Sequence, residues 1–327
     1  QRQMCIRDRS NGVSTELCFM AFCAFTLIII FAGVQNGIER VSKIMMPILI
    51  VLSVIIAVYS VTRPGALAGV KYFLVPNVKN FSWMTVVSAM GQMFYSLSIA
   101  MGILITFGSY MKKDTAIEDS TRNVEVFDTG IAIMAGLMII PAVFAFSGGD
   151  PDTLQAGPSL MFITIPKVFQ NMGFGTVIGI VFFLLVLFAA VTSSIALTES
   201  AVSTFEDELG WGRKKATVLV GVIMLALGSL SSLGYGPLAG IKIIGMQFLD
   251  LFDFLTNSVM MPIAALLTSL FVSRVVGIDK IEAEIIHGES AFRRKKVFVV
   301  MIKYLCPVFA IIILLSSVAN ALGWIKM

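Results

Sequence analysis

Eight apolar runs, each long enough to cross a lipid bilayer as a helix, recur along this chain at roughly 15–34, 43–62, 84–111, 123–147, 173–205, 214–232, 243–275 and 297–324. About 20 residues at about 1.5 Å rise each match the roughly 30 Å hydrocarbon thickness. Runs spaced this closely leave little polar sequence from which to build a soluble domain. Only 13% of the 327 residues are charged and 57% are hydrophobic, where a soluble domain carries about 25% charge. None of the runs alternates with period two over ten residues, which excludes a β-barrel. The pattern predicts an all-α, polytopic membrane protein.

Lysine and arginine set its orientation. The loops after the first, third, fifth and seventh runs carry Arg40, Lys43, Lys112, Lys113, Arg122, Arg213, Lys214, Lys215, Arg274, Lys280, Arg293, Arg294, Lys295 and Lys296. The opposite loops carry only Arg63, Lys71, Lys79, Lys167 and Lys242. Fourteen against five places the first set in the cytoplasm. The net charge of +4 is this bias, and no basic groove interleaved with aromatics points to nucleic acid.

Reactive groups are scarce. Cys5, Cys18, Cys23 and Cys306 lack metal or redox spacing and read as small apolar fillers. His287, the one histidine, lies in a charged loop. No nucleophile elbow or carboxylate pair stands outside the membrane, so an intramembrane enzyme is disfavoured. The first ten residues, QRQMCIRDRS, fit neither a signal peptide nor an amphipathic anchor. They read as a foreign or mis-assembled segment, with the transmembrane domain running over 11–327.

The third run is anomalous. Its stretch GQMFYSLSIAMG, 91–102, gathers Ser96 and Ser98 between Gly91 and Gly102. The serines compete for backbone hydrogen bonds and the glycines ease departure from the helix, so this span is expected to be discontinuous. Small residues that merely let another helix pack closely explain the same letters. The fifth run sets Thr192, Ser193 and Ser194 just after Ala189. Neutral oxygen donors on one helix face suit a weakly held alkali cation such as Na⁺; helix–helix hydrogen bonding is the bland alternative. Asp128, Asp250, Asp253 and Glu199 add ionisable groups within or beside spans, which mark functional sites by default. Glu199 fits a pathway role and a paired structural role equally. A broken span with half-buried oxygen ligands points to a secondary transporter.

GIERVSKIMMP (37–47), GQMFYSLSIAMGILITFGSY (91–110), PAVFAF (141–146), AGPSLMFITIP (156–166), FAAVTSSIAL (188–197), FEDEL (205–209) and FLDLFDF (248–254) follow one another in the order and spacing of a known family. From about residue 15 onward the chain resembles the neurotransmitter:sodium symporter family, in its bacterial amino-acid-transporting branch with the leucine-transporter fold. That fold has two inverted five-helix repeats whose first and sixth helices are unwound. The broken span here is third, so the resemblance implies family helices 4–11, with the first three lacking. It also implies Na⁺-coupled symport of an amino acid, a neutral hydrophobic one, by alternating access across the bacterial cytoplasmic membrane. Two Na⁺ sites are expected. A carrier of the same fold with another solute or coupling ion is the alternative, and a membrane enzyme a distant one.

The resemblance extends to single residues. Tyr95, Ser96, Ser98, Met101, Ser193 and Leu197 match substrate-binding positions, Tyr95 as the aromatic lid. Ser96 and Asp128 match the first Na⁺ site, and Ala189, Thr192 and Ser193 the second. Asp128 falls where chloride-dependent relatives bind Cl⁻, so a fixed carboxylate is expected to make chloride unnecessary. Gln92 and Asp253 match the outer gate; Tyr110 and Asp207 match the cytoplasmic gate. Gly37 and Pro47 match the pair that lets the fifth family helix unwind at its cytoplasmic end. Met101 and Ala100 depart from the larger aromatic and the glycine usual there. The implied partners are a small amino acid and the lipid bilayer, with no oligomeric state set.

Overall fold

The computed structural model describes residues 12–76, 81–147, 160–170, 173–234, 236–243, 245–288 and 291–321. The N-terminal segment set apart above and residues 156–159 of the AGPSLMFITIP motif lie outside them. In hydrocarbon every backbone N–H and C=O must bond within its own segment, so the apolar runs have no choice but helix. Among the described residues, seven helical stretches are long and apolar enough to cross a membrane. Among the described residues, β pairing is limited to one isolated bridge between Ile243 and Met246.

The helices are α1 Gly12–Phe31, α2 Arg40–Val61, α3 Ala66–Leu74, α4 Trp83–Ser96, α5 Ile103–Ser109, α6 Ile117–Ser147, α7 Ile165–Gln170, α8 Gly175–Leu209 and α9 Arg213–Leu233. Then follow α10 Phe248–Asp253, α11 Met261–Phe271, α12 Ile278–Gly288, α13 Lys295–Val300 and α14 Cys306–Ala321. Wide π-helical turns join α10 to α11 (Phe254–Met260) and α13 to α14 (Met301–Leu305), so each pair makes one continuous span. Two expected boundaries move. α6 begins at Ile117, six residues ahead of its apolar run, because Glu118 and Asp119 suit a helix start. The seventh span begins at Phe248, because Ile243 and Met246 exchange backbone hydrogen bonds at 3.0 Å just ahead of it, with Gly245 at φ 76°.

Two compact units emerge from these elements. The first comprises residues 1–37, 82–123 and 194–327. Within it α1 packs along α9 through small residues. A Cβ on Gly228 would lie 2.1 Å from Phe19 Cζ, and one on Gly221 would lie 3.0 Å from Leu27 Cδ1. Such close approach, together with interhelical polar contacts, is how helices associate when lipid removes the hydrophobic drive. Here the polar contacts are Ser229 with Glu16, and Thr26 with Ser194 at 3.2 Å. A second packing centre joins Phe94, Ala265, Ala310 and Ile313.

The second unit comprises residues 38–81 and 124–193. Its core holds Ile56, Val143, Ile165, Val168, Phe169 and Phe182. Ser60 Oγ donates to the Met138 carbonyl at 2.7 Å, tying α2 to α6. Gly69 lets α3 press on α6, where a Cβ would sit 2.8 Å from Pro141 Cα. The GIERVSKIMMP motif spans the boundary between units. A π-helical turn at Val34–Glu39 includes Gly37, whereas Pro47 lies inside the uninterrupted helix α2.

Candidate functional site

The third apolar run is two helices with a break between them. Ser82 caps α4 by accepting from the Thr85 N–H at 3.3 Å, and Thr85 Oγ1 accepts from the Ser82 N–H at 3.2 Å. Helix α4 then ends at Ser96, and α5 starts only at Ile103. Between them the ladder gives way to turns: Ser98 N–H donates to the Tyr95 carbonyl at 3.1 Å and Ile99 N–H to the Phe94 carbonyl at 3.0 Å. Ser98 (φ 54°), Ala100 (φ 64°) and Gly102 (φ 80°) all adopt the left-handed region. Left-handed backbone costs an L-residue roughly 1–2 kcal/mol, so two such residues in six amount to stored strain.

The two flanking glycines do different things. Gly102 combines left-handed backbone with a close approach, since a Cβ there would lie 2.6 Å from Ser200 Oγ on α8. Thr106 Oγ1 reaches the same Ser200 Oγ at 3.4 Å. Gly91, expected to ease the unwinding too, sits within α4 with open space around it and takes no part in the break.

Near the break, Tyr95 is 51% exposed and Leu197 on α8 is 49% exposed. Ser98 and Met101 lie in the break itself, and Ser96 closes α4. Gln92 and Asp253 line one cavity of about 320 Å³, with Tyr95, Asn257, Ser258 and Ser317. Asp253 Oδ1 accepts from Asn257 Nδ2 at 2.6 Å, which fixes the carboxylate on the cavity wall.

Further along the same unit, α8 buries Glu199 completely. Arg213 grips it with two guanidinium nitrogens, Nη1 to Oε1 at 3.0 Å and Nη2 to Oε2 at 2.6 Å. The Tyr110 hydroxyl donates to Oε1 at 2.7 Å. Arg213 also donates to the Ile30 carbonyl at 3.0 Å and stands 3.5 Å from Glu206. Tyr110 therefore engages Glu199, while Asp207, its expected gate companion, lies exposed on the last turn of α8. Of the two roles left open for Glu199, the contacts seen are those of a paired group. The sequence had offered Arg213 only as a cytoplasmic charge marker. The signal that could have found it is the short Gly210–Gly212 connection, with Gly210 at φ 63°, which leaves Arg213 at the start of α9 within reach of the end of α8.

In the second unit, Thr192 Oγ1 donates to the Ala189 carbonyl at 3.0 Å and to the Phe188 carbonyl at 3.1 Å. These are the back-bonds a helical threonine makes to the preceding turn, and they hold two neutral oxygens 3.0 Å apart on α8. Ser193 beside them is exposed, and Asp128 on α6 is half-buried. The third hydroxyl, Ser194, instead meets Thr26 of α1, the packing role weighed above for all three.

A multi-pass helical membrane protein with one span broken around left-handed residues belongs to the class of secondary carriers. Residues 6–324 match the model of the sodium:neurotransmitter symporter family. The chain belongs to that family, which is one of transporters and not of enzymes. It is 34% identical over 309 residues to the sodium-dependent transporter YhdH of Bacillus subtilis, covering 94% of this chain and 68% of that protein. A sodium-dependent transporter of Haemophilus influenzae is 31% identical, with 91% and 64% covered. Among solved structures, MhsT in complex with L-phenylalanine matches with TM-score 0.83 and 34% identity, over 95% of this chain and 70% of that one. The chain thus spans roughly two thirds of the length of the relatives it matches.

Proposed function

We propose that this protein couples Na⁺ entry to uptake of a neutral, hydrophobic amino acid by alternating access across the bacterial cytoplasmic membrane. The observation that carries the proposal is the break at residues 97–102 in an apolar span, since backbone is released from a membrane helix only where it faces protein, water or a ligand. The amino acid sits at that break, with Ser96 and Ser98 near its charged end and Tyr95, Met101 and Leu197 around its side chain. L-phenylalanine in the MhsT complex supports a bulky apolar side chain as cargo. Ala189, Thr192 and Ser193 hold one co-transported Na⁺; the 3.0 Å spacing of the first two oxygens supports this. Asp128 serves a second Na⁺, an assignment that rests on the family resemblance, and its carboxylate removes any need for chloride.

Gln92 and Asp253 form the outer gate, and their shared cavity supports that role. Tyr110 and Asp207 act at the cytoplasmic gate, with the Glu199–Arg213 pair anchoring Tyr110. The test is uptake of labelled L-phenylalanine and L-leucine into proteoliposomes under an inward Na⁺ gradient. Saturable uptake is expected with Na⁺ and lost when Li⁺, K⁺ or choline replaces it. Uptake that persists in choline overturns the coupling ion; no uptake of any neutral amino acid overturns the cargo.

A further inference from the structure

The basic run Arg293–Lys296 opens the last span on its cytoplasmic side, and the fold sorts its charges into two sets. Arg294 Nε stands 3.9 Å from Glu118 Oε1, and the Arg293 backbone N–H donates to Glu118 Oε2 at 2.9 Å. Lys295 pairs with Glu282 of α12. These contacts tie the start of α13 to α6 and α12. Lys296 is exposed, as is Lys303 two turns further on, about 10 Å along the axis. Among the described residues neither makes an ion pair or a hydrogen bond.

Lys303 lies inside the span Lys295–Ala319, where an unpaired ammonium is costly unless its stem carries it toward the interface and an anion meets it. Its neighbour Tyr304 is 65% exposed, and Val300, Val308 and Ile311 present apolar surface on the same span. A phenol beside a lysine at this level matches the aromatic belt where chain meets headgroup. Cations at the top of an apolar strip fit one kind of occupant, a molecule with an anionic head and hydrocarbon tails.

We propose that Lys296, Lys303 and Tyr304 cradle the headgroup of one anionic phospholipid of the cytoplasmic leaflet. Its phosphodiester lies between the two ammonium groups, and its acyl chains run along Val300, Val308 and Ile311. A zwitterionic lipid carries its own cation beside the phosphate and gains little from two lysines. Free phosphate shares the charge but has nothing to lay on the apolar strip.

Native mass spectrometry of the purified protein, titrated with phosphatidylglycerol, phosphatidylcholine or inorganic phosphate, tests this. One phosphatidylglycerol is expected to bind in preference to the other two. Each lysine contributes roughly fivefold at an anionic surface, so K296Q and K303Q each weaken that binding about fivefold and the double variant about 25-fold. Lys303→Arg keeps the charge and retains the lipid, and Lys295→Gln, at the lysine already paired with Glu282, changes little. The substitutions at the exposed Lys296 and Lys303 leave the packed side of the helix intact, and size-exclusion profiles verify folding of every variant. Unchanged phosphatidylglycerol binding in the double variant overturns the proposal. So does an equal loss in Lys295→Gln, or equally tight binding of phosphatidylcholine or inorganic phosphate.

Discussion

Replacing Arg213 with Gln will destabilise the protein far more than replacing its partner Glu199 with Gln. The asymmetry follows from burial. Glu199 has no exposed side-chain surface, whereas 24% of the Arg213 side chain reaches solvent. Arg213→Gln removes two charge-assisted bonds, at 3.0 and 2.6 Å, and leaves a buried carboxylate with the Tyr110 hydroxyl as its remaining donor. Removing one partner of a buried pair costs about 3–5 kcal/mol. Glu199→Gln keeps an amide oxygen for Arg213 and Tyr110, and the guanidinium still has Glu206, the Ile30 carbonyl and water. That change costs about 1–2 kcal/mol. At roughly 2–4 °C per kcal/mol, Arg213→Gln lowers the apparent melting temperature by roughly 6–20 °C and Glu199→Gln by about a third as much. Thermostability in detergent, followed by size-exclusion chromatography after heating, gives both numbers. The double variant should recover much of the Arg213→Gln loss, because no orphan charge remains. A Glu199→Gln loss equal to that of Arg213→Gln, or a double variant with the summed loss, would refute the reasoning.

Three further outcomes are expected. Gly102→Ala should cost about 1–3 kcal/mol through strained backbone and the 2.6 Å approach to Ser200 Oγ, and Ser200→Ala should recover only the steric share; a fully stable Gly102→Ala protein contradicts the described break. Thr192→Ala with Ser193→Ala should weaken Na⁺ activation of uptake about 100–1000-fold, since a few kcal/mol of ion binding go with the two oxygens, and unchanged Na⁺ dependence would reduce those hydroxyls to packing. Wild-type uptake should not change when gluconate replaces Cl⁻, whereas Asp128→Asn should lower Na⁺ affinity in a manner that Cl⁻ partly restores; Na⁺ affinity unaltered in both anions rules out charge compensation.

How much the letters alone reveal differs from feature to feature. The broken span is legible because its causes are local: Ser96, Ser98 and Gly102 act within a few residues of the turns they make. The same local logic misjudged Gly91, which stays in α4 because no backbone turn and no neighbour demands a missing side chain there. Of three adjacent hydroxyls, Thr192 turns back to the Ala189 carbonyl and Ser194 crosses to Thr26 on α1, a division set by which face each presents to which helix.

The sequence by itself determined the membrane class, the helical character of its apolar runs, and where one of them fails. Those properties follow from the thickness of a bilayer and from the penalty on unbonded backbone within it, and both act on contiguous residues. Only the tertiary structure decided that Arg213 closes on Glu199 and Tyr110, and that Glu118 and Glu282 take up part of the basic run and leave Lys296 and Lys303 exposed. Salt bridges between distant parts of the chain join side chains that helix rotation and loop reversal bring within about 4 Å; an i,i+4 pair such as Glu39 and Lys43 is legible from spacing, but these are not.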